Sequence, residues 1–283
     1  MVKLRKRKKA GAGEVPAVDW EQVRPESREA IRRVAELLVG AKHCVVLTGA
    51  GMSTESGIPD FRSPKTGLWA KFQPSVAELE TFLTNPLAFW KMAKKVAPTL
   101  FSAKPNAGHV VLAKLEDEGL VRAIITQNVD GLHQKAGSLF VFEVHGNVEE
   151  MSCVGCGATY GVDQVLRKVK KEKQIPPLCD ICSAPLKPNV VLFGEALPRA
   201  TLYESIAQSE RADLFLVCGS SLEVSPANTF PVYCLNKGGR LAIFNVEPTH
   251  LDYKAVATVR EKLGASLPLL YRAVHEILDG KDQ

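Results

Sequence analysis

Three groups of residues in this chain have the types and spacing to do chemistry. The first is the loop TGAGMSTESGIPDFRS, residues 48–63, in which Gly49 and Gly51 flank Ala50 and a polar run follows: Ser53, Thr54, Ser56, Asp60 and Arg62, with one Pro and one Phe. Glycines let a backbone approach a ligand closely, and a strand running into a glycine turn offers free N–H groups to a pyrophosphate. Thr54 stands where a dehydrogenase fingerprint needs its third glycine, so a hydride-transfer enzyme is poorly supported. The polar run is a poor way to build core and a good way to grip a ribose and a phosphate. The second group is Cys153-x-x-Cys156 and Cys179-x-x-Cys182, separated by 22 residues. Each pair brings two thiolates onto one ion. Two pairs complete a sulfur tetrahedron around Zn2+ with no open position for water, which makes the metal structural. The third group is a set of polar motifs placed after apolar runs: TQNVD (126–130), His145-Gly146-Asn147, Gly219-Ser220-Ser221 and Asn245. Imidazole titrates near neutrality, so His145 suits a general base.

The elements that must position these groups follow from periodicity. From Pro25 to Gly40 an amphipathic helix places Ile31, Val34, Ala35 and Leu38 on one face. Strands are predicted over 43–48, 121–126, 139–144, 190–193, 213–218 and 240–245. Helices are predicted over 107–118 (capped by Asn106, closed by Gly119), 131–136, 162–173, 199–209, 226–237 and 266–278. This alternation predicts an α/β fold: a doubly wound, Rossmann-like parallel sheet with helices on both faces. Two stretches interrupt it. Residues 64–105, rich in aromatics and prolines, predict short helices in a cap, and 149–187 hold the cysteine pairs as a zinc-ribbon insertion. The expected organisation is a disordered basic arm (1–19), a nucleotide-binding domain (20–63, 106–148 and 188–283) and the two insertions as a smaller module. Ligands of such sheets sit beyond the carboxyl ends of the strands, where the polar motifs fall.

Composition narrows the class. The chain has 283 residues, 46% hydrophobic and 24% charged, ordinary for a globular protein with a core of its own. The net charge of +5 is local: six of the 36 basic residues lie in the first ten positions, leaving 30 against 31 acidic ones. The arm reads as a solubilising tail, with a weak contact to nucleic acid or an acidic partner as the sharper alternative. It lacks the apolar segment of a secretory signal, and no apolar run approaches the ~20 residues of a membrane helix. Seven cysteines, four of them at metal-ligand spacing, predict a cytoplasmic protein rather than a disulfide framework. Cys44, Cys218 and Cys234 lie in apolar runs and read as core.

GAGMSTESGIPDFR, TQNVDGLHQKAG (126–137), HGN (145–147), the paired CxxC motifs, CGSSLEVSPA (218–227) and Asn245 together resemble the sirtuins, NAD-dependent protein deacylases, and occur in the family's order. The resemblance covers about residues 28–270. Met52 and Val129 stand where isoleucine is commonest.

The resemblance implies NAD as a consumed co-substrate and an acylated-lysine protein as partner. Ala50, Thr54, Asp60, Phe61 and Arg62 would line the pyrophosphate and the nicotinamide ribose. Gln127, Asn128 and Asp130 would hold the ribose and carboxamide, beside Ile58 and the Val129 backbone. His145, with Asn128, would be catalytic. Gly219, Ser220, Ser221 and Asn245 would take phosphate or adenosine ribose, with Lys262 and Leu263 near the adenine. Val191 to Glu195 (including Phe193 and Gly194) and Leu222 to Val224 would pair with the substrate peptide as an added strand. The implied reaction has the acyl oxygen attack C1′ of the ribose as nicotinamide departs. His145 then takes a proton from the ribose hydroxyls, the 2′ oxygen attacks the resulting imidate, and water releases free lysine and O-acyl-ADP-ribose. Mono-ADP-ribosyl transfer at the same site, or non-catalytic NAD or zinc-dependent binding, are the competing readings. Sirtuins that prefer acidic acyl groups carry Tyr-x-x-Arg in the cap helix. Here Ala93 and Val96 occupy those positions, which implies a preference for acetyl and other neutral acyl groups.

Overall fold

A computed structural model of the chain describes residues 13–281. In chain order its strands are β1 (Cys44–Thr48), β2 (Ala123–Thr126), β3 (Val141–Glu143), β4 (Gly146–Cys153), β5 (Thr159–Gly161), β6 (Leu186–Val190), β7 (Leu214–Cys218), β8 (Arg240–Phe244) and β9 (Ala257–Val259). The helices are α1 (Pro25–Gly40), α2 (Leu79–Thr84), α3 (Pro86–Ser102), α4 (Ala107–Asp117), α5 (Leu132–Ala136), α6 (Val162–Glu172), α7 (Arg199–Arg211), α8 (Phe230–Asn236) and α9 (Leu263–Lys281).

Six strands form a parallel sheet in the order β3-β2-β1-β7-β8-β9. Central parallel strands are covered on both faces and therefore apolar throughout; every residue of β1 and β7 is buried. Successive side chains go to opposite faces. Val46, Ile124, Leu216 and Phe244 pack with Ile31 and Leu38 of α1, Leu112 of α4 and Leu270 of α9. Val45, Leu47, Ile125, Val217 and Ile243 pack with Phe230 and Cys234 of α8 and with α7. The sheet is doubly wound, as expected. Its order reverses between β1 and β7, which opens a crevice at their carboxyl ends.

The two insertions merge into one small module. Strands β5-β4-β6 form an antiparallel sheet, and one core joins Phe82, Phe89 and Trp90 of the cap to Met151, Tyr160, Val165 and Leu186 of the cysteine segment. The Trp90 indole N–H donates to the Leu186 carbonyl at 3.1 Å.

Several expected boundaries move. The strand placed at 190–193 is β6, which begins four residues earlier at Leu186, so the antiparallel module runs from Gly146 to Val190. β4 escapes the pattern because it is polar (Asn147, Glu149 and Glu150 sit in it) and β5 because it has only three residues, and Pro188 interrupts β6. The three-residue β9 is too short to show a period. The cap contains a 17-residue helix, α3, with Pro98 inside it, as well as short ones. A 3-10 turn at Ala227–Thr229 precedes the shorter α8. Of the basic arm, residues 1–12 lie outside the described residues. Val15 and Val18 pack partly buried on the α1 side of the core, and the Asp19 carboxylate caps the turn at Trp20–Gln22. Residues 13–19 therefore lie on the folded body.

Candidate active site

A cleft of about 1520 Å³ lies beyond the carboxyl ends of β1 and β7, roofed by the small module. Its floor is made by two interlocked glycine turns. Gly51 N–H donates to the Gly219 carbonyl at 2.9 Å. A Cβ on Gly49 would lie 2.8 Å from that carbonyl oxygen, and one on Gly51 would lie 2.9 Å from Gly219 Cα. Gly219 itself has φ +67°, the left-handed region that glycine tolerates. Without side chains the turns come together and leave Ala50, Thr54, Ser220 and Ser221 facing the cleft. This bare backbone surface suits a pyrophosphate.

The loop after β2 is tied to the same floor. Asn128 Nδ2 donates to the Gly49 carbonyl at 3.0 Å and to Ser53 Oγ at 3.1 Å, and Ser53 Oγ donates to Asp130 Oδ2 at 2.6 Å. Asp130 Oδ1 accepts from Leu132 N–H at 2.9 Å, so this carboxylate starts α5 and faces the cleft at once. Gln127 Nε2 donates to Ser220 Oγ at 2.8 Å. Ser53 is the hub of this network. The sequence places it in the polar run but assigns it no role, since a serine side chain carries no positional signal.

His145 follows β3, is half-buried and lines the cleft. Its Nδ1 lies 3.1 Å from the Gln127 carbonyl. A carbonyl only accepts, so Nδ1 carries the proton and Nε2 keeps its lone pair. Burial holds the imidazole pKa below its ordinary value, against a smaller upward pull from that carbonyl. The result is a neutral base with one free nitrogen. His133 is different. It is buried beside His109, their rings 4.8 Å apart, and its Nε2 meets Thr48 Oγ1 at 2.9 Å. Burial pushes its pKa down to about 3, and it does not line the cleft.

In the loop behind the turn, Arg62 and Ser63 N–H donate to Asp60 Oδ1 at 3.1 and 2.8 Å, so Asp60 shapes the loop it sits in. Phe61, 42% exposed, leans on Trp69 at 5.4 Å between centroids, and Trp69 lies 6.3 Å from Phe193. Trp69 thus bridges two cleft-lining loops, a role that cap aromatics do not announce. Arg62 Nε lies 3.0 Å from Glu223 Oε2, across the cleft mouth. Ile58, Val129, Asn245, Lys262 and Leu263 also line the cleft.

The two segments assigned to peptide are only partly free. Val191 N–H donates to the His145 carbonyl at 2.8 Å. Phe193 N–H donates to Ala77 O, and its carbonyl accepts from Leu79 N–H, both at 2.9 Å. The Phe193 backbone is therefore committed to the cap, and its ring is what it offers. The Leu222 side chain is buried in the core on the α8 side, so only its backbone is left to offer a peptide. Val224 lines the cleft, but its carbonyl accepts from Asn228 N–H at 3.0 Å.

The four cysteines of the small module do converge. Cys153 and Cys182 Sγ are 3.3 Å apart, Cys156 and Cys179 Sγ 3.6 Å, and all four lie within 4.8 Å of one another. Sulfurs at about 2.3 Å from one Zn2+ sit at comparable separations, so the donor set fits a structural zinc. The remaining cysteines, Cys44, Cys218 and Cys234, are buried, and all seven are free thiols.

A family model described as the Sir2 family matches residues 49–226. Among curated proteins, the NAD-dependent protein deacetylase of Sulfurisphaera tokodaii is 47% identical over 236 residues, spanning 83% of this chain and 92% of its own. That of Thermotoga maritima is 46% identical over 222 residues, spanning 78% and 89%. A solved Sir2 structure with a p53 peptide and NAD+ superposes with TM-score 0.78 at 41% identity, covering 89% of this chain and 99% of that one.

Proposed function

This chain belongs to the Sir2 family, and from that premise we infer that its cleft removes acetyl groups from protein lysines at the expense of NAD. The observation that carries the reading is the position of His145. A neutral imidazole with a free Nε2 lines the same cleft as the glycine floor. NAD supplies an electrophilic ribose carbon once nicotinamide leaves. The rest falls to the chain. The turns at Gly49–Gly51 and Gly219–Ser221 face the phosphates. Asn128 and Asp130, fixed by Ser53, orient the ribose and carboxamide. Phe61, backed by Trp69, covers the reacting face. His145 Nε2 takes the proton from a ribose hydroxyl. Asn245 and Leu263 border the adenosine end. The acyl-lysine enters between the turn at Val191–Glu195 and Glu223–Val224.

The protein partners are acyl-lysine polypeptides. Among the described residues, no helix is long and apolar enough to cross a membrane. Seven free thiols, four of them grouped for zinc, support the reducing cytoplasm as the place of work. A weak contact with nucleic acid or an acidic partner rests on the six basic side chains of the first ten residues.

The test is mass spectrometry of an acetyl-lysine peptide with and without NAD, alongside nicotinamide release. One nicotinamide for each lysine freed supports deacetylation. Nicotinamide release with the acetyl group retained would instead mean ADP-ribosyl transfer.

A further inference from the structure

Lysine is rarely buried unless its charge is matched, yet Lys187 in β6 is buried. Its Nζ donates to the Val190 carbonyl at 2.8 Å and the Pro188 carbonyl at 3.2 Å, and lies 2.9 Å from Glu195 Oε2. Three donors meet three acceptors, the condition under which an ammonium is tolerated away from water. The same Oε2 accepts from Leu192 N–H at 3.0 Å, and Glu195 N–H returns to the Leu192 carbonyl at 3.0 Å. The carboxylate therefore closes the turn 192–195 from within and ties it to β6. One residue before Lys187, Leu186 pairs with Cys153, one of the zinc-site thiols. On its other side the turn is fastened to the cap through Phe193. Gly194, at φ +83°, sits at its tip with nothing within 4 Å of an added Cβ. It is there for its backbone angle, not for lack of room.

We propose that Lys187 and Glu195 are positioning residues for the acyl-peptide, with Glu195 acting through the turn it closes and not by contact with the peptide. The pair fixes how Val191 and Gly194 present their backbone to an incoming strand, and it links that register to the zinc-bearing sheet. The proposal rests on reading 191–195 as a peptide-pairing segment.

The experiment uses the full chain with zinc bound and, as probe, a fluorescein-labelled peptide bearing one acetyl-lysine, followed by anisotropy. NAD affinity is measured by calorimetry and zinc by metal analysis. Lys187→Met and Glu195→Gln should each weaken the peptide by about tenfold or more, with NAD affinity and zinc content unchanged. Lys187→Arg, which keeps the charge and the donors, should recover most of the loss. Glu195→Gln keeps side-chain volume and an acceptor for Leu192, so it remains informative where Lys187→Met fails to fold. Unchanged peptide affinity in Glu195→Gln overturns the proposal, as does parallel loss of NAD and peptide affinity. A wild-type chain that binds NAD and zinc but not the peptide would sink the peptide assignment of 191–195, and the proposal with it.

Discussion

A histidine that accepts a proton must be neutral when its substrate arrives, and the surroundings of His145 arrange this. Burial lowers its pKa, and the Gln127 carbonyl holds the proton on Nδ1. The competent form is the neutral one, present above the pKa. Lowering that pKa below the usual value of about 6.5 moves the acid limb of kcat/KM downward, so activity should persist below pH 6.5. A limb above that value would mean that another group titrates. His145→Ala should cut turnover by about 10²–10⁴ while calorimetry shows NAD still bound. Turnover near wild type would place the base elsewhere, and His133 is no substitute because it is buried outside the cleft. At this scale the sequence was informative where residue type is restrictive. Glycines in a turn, paired cysteines and a histidine after a strand each have few uses. Ser53 and Trp69 were not legible, because serine and tryptophan occur everywhere and their roles come from neighbours 77 and 124 residues away, Asp130 and Phe193.

Elements were legible in proportion to their regularity. The central parallel strands and α1 carry strong apolar patterns, and they fall close to where the pattern puts them, whereas the three-residue edge strand β9 carries none. The antiparallel sheet of the small module does not follow the pattern, because its strands owe their position to the cysteines and to the cap rather than to alternation. That dependence predicts a wide effect from a small change. Cys153 and Cys179 belong to the same core as Phe89 and Trp90, and structural zinc contributes folding free energy directly. Cys153→Ser or Cys179→Ser should abolish zinc binding, measured as loss of one ion per chain, and lower Tm. A stable, active, zinc-free variant would refute a structural role for the metal. The helices α4 and α5 make a second prediction. They bury His109 and His133 as neutral rings, His109 with its pKa well below the ordinary value and His133 with its own near 3, both chiefly by burial. Unfolded histidines protonate near pH 6.5, so protons favour the unfolded chain below that pH. Stability should be fully present above about pH 6.5 and decline as pH falls toward about 3. Urea unfolding midpoints at pH 7 and pH 5 would show it, and no decline would mean that the rings are not buried neutral.

In the whole molecule, function lies where the two modules meet, so changes at the chain's start should be tolerated up to the point where the body begins. Deleting residues 1–12 should leave kcat/KM on a short acetyl peptide unchanged. Deleting through residue 19 also removes Val15, Val18 and the Asp19 cap and should lower Tm; equal stability of the two truncations would place the boundary of the body later. The choice of acyl group is expected to be set across the same junction. Helix α3 belongs to the small module, yet Met92, Ala93, Val96 and Ala97 line the same cleft as His145. None of these side chains can donate a hydrogen bond to a carboxylate. Lys95 Nζ sits over the Phe72 ring at 5.6 Å. Lys94 reaches the cleft lining, but an ammonium is a hydrated point charge without the planar fork of Arg. A succinyl carboxylate entering this wall would lose water without gaining a matched partner, which is costly, whereas acetyl and butyryl chains bury only apolar carbon. The expected order of kcat/KM on one peptide is therefore acetyl and butyryl well above succinyl. Succinyl-lysine processed as fast as acetyl-lysine would show that α3 does not form the acyl wall.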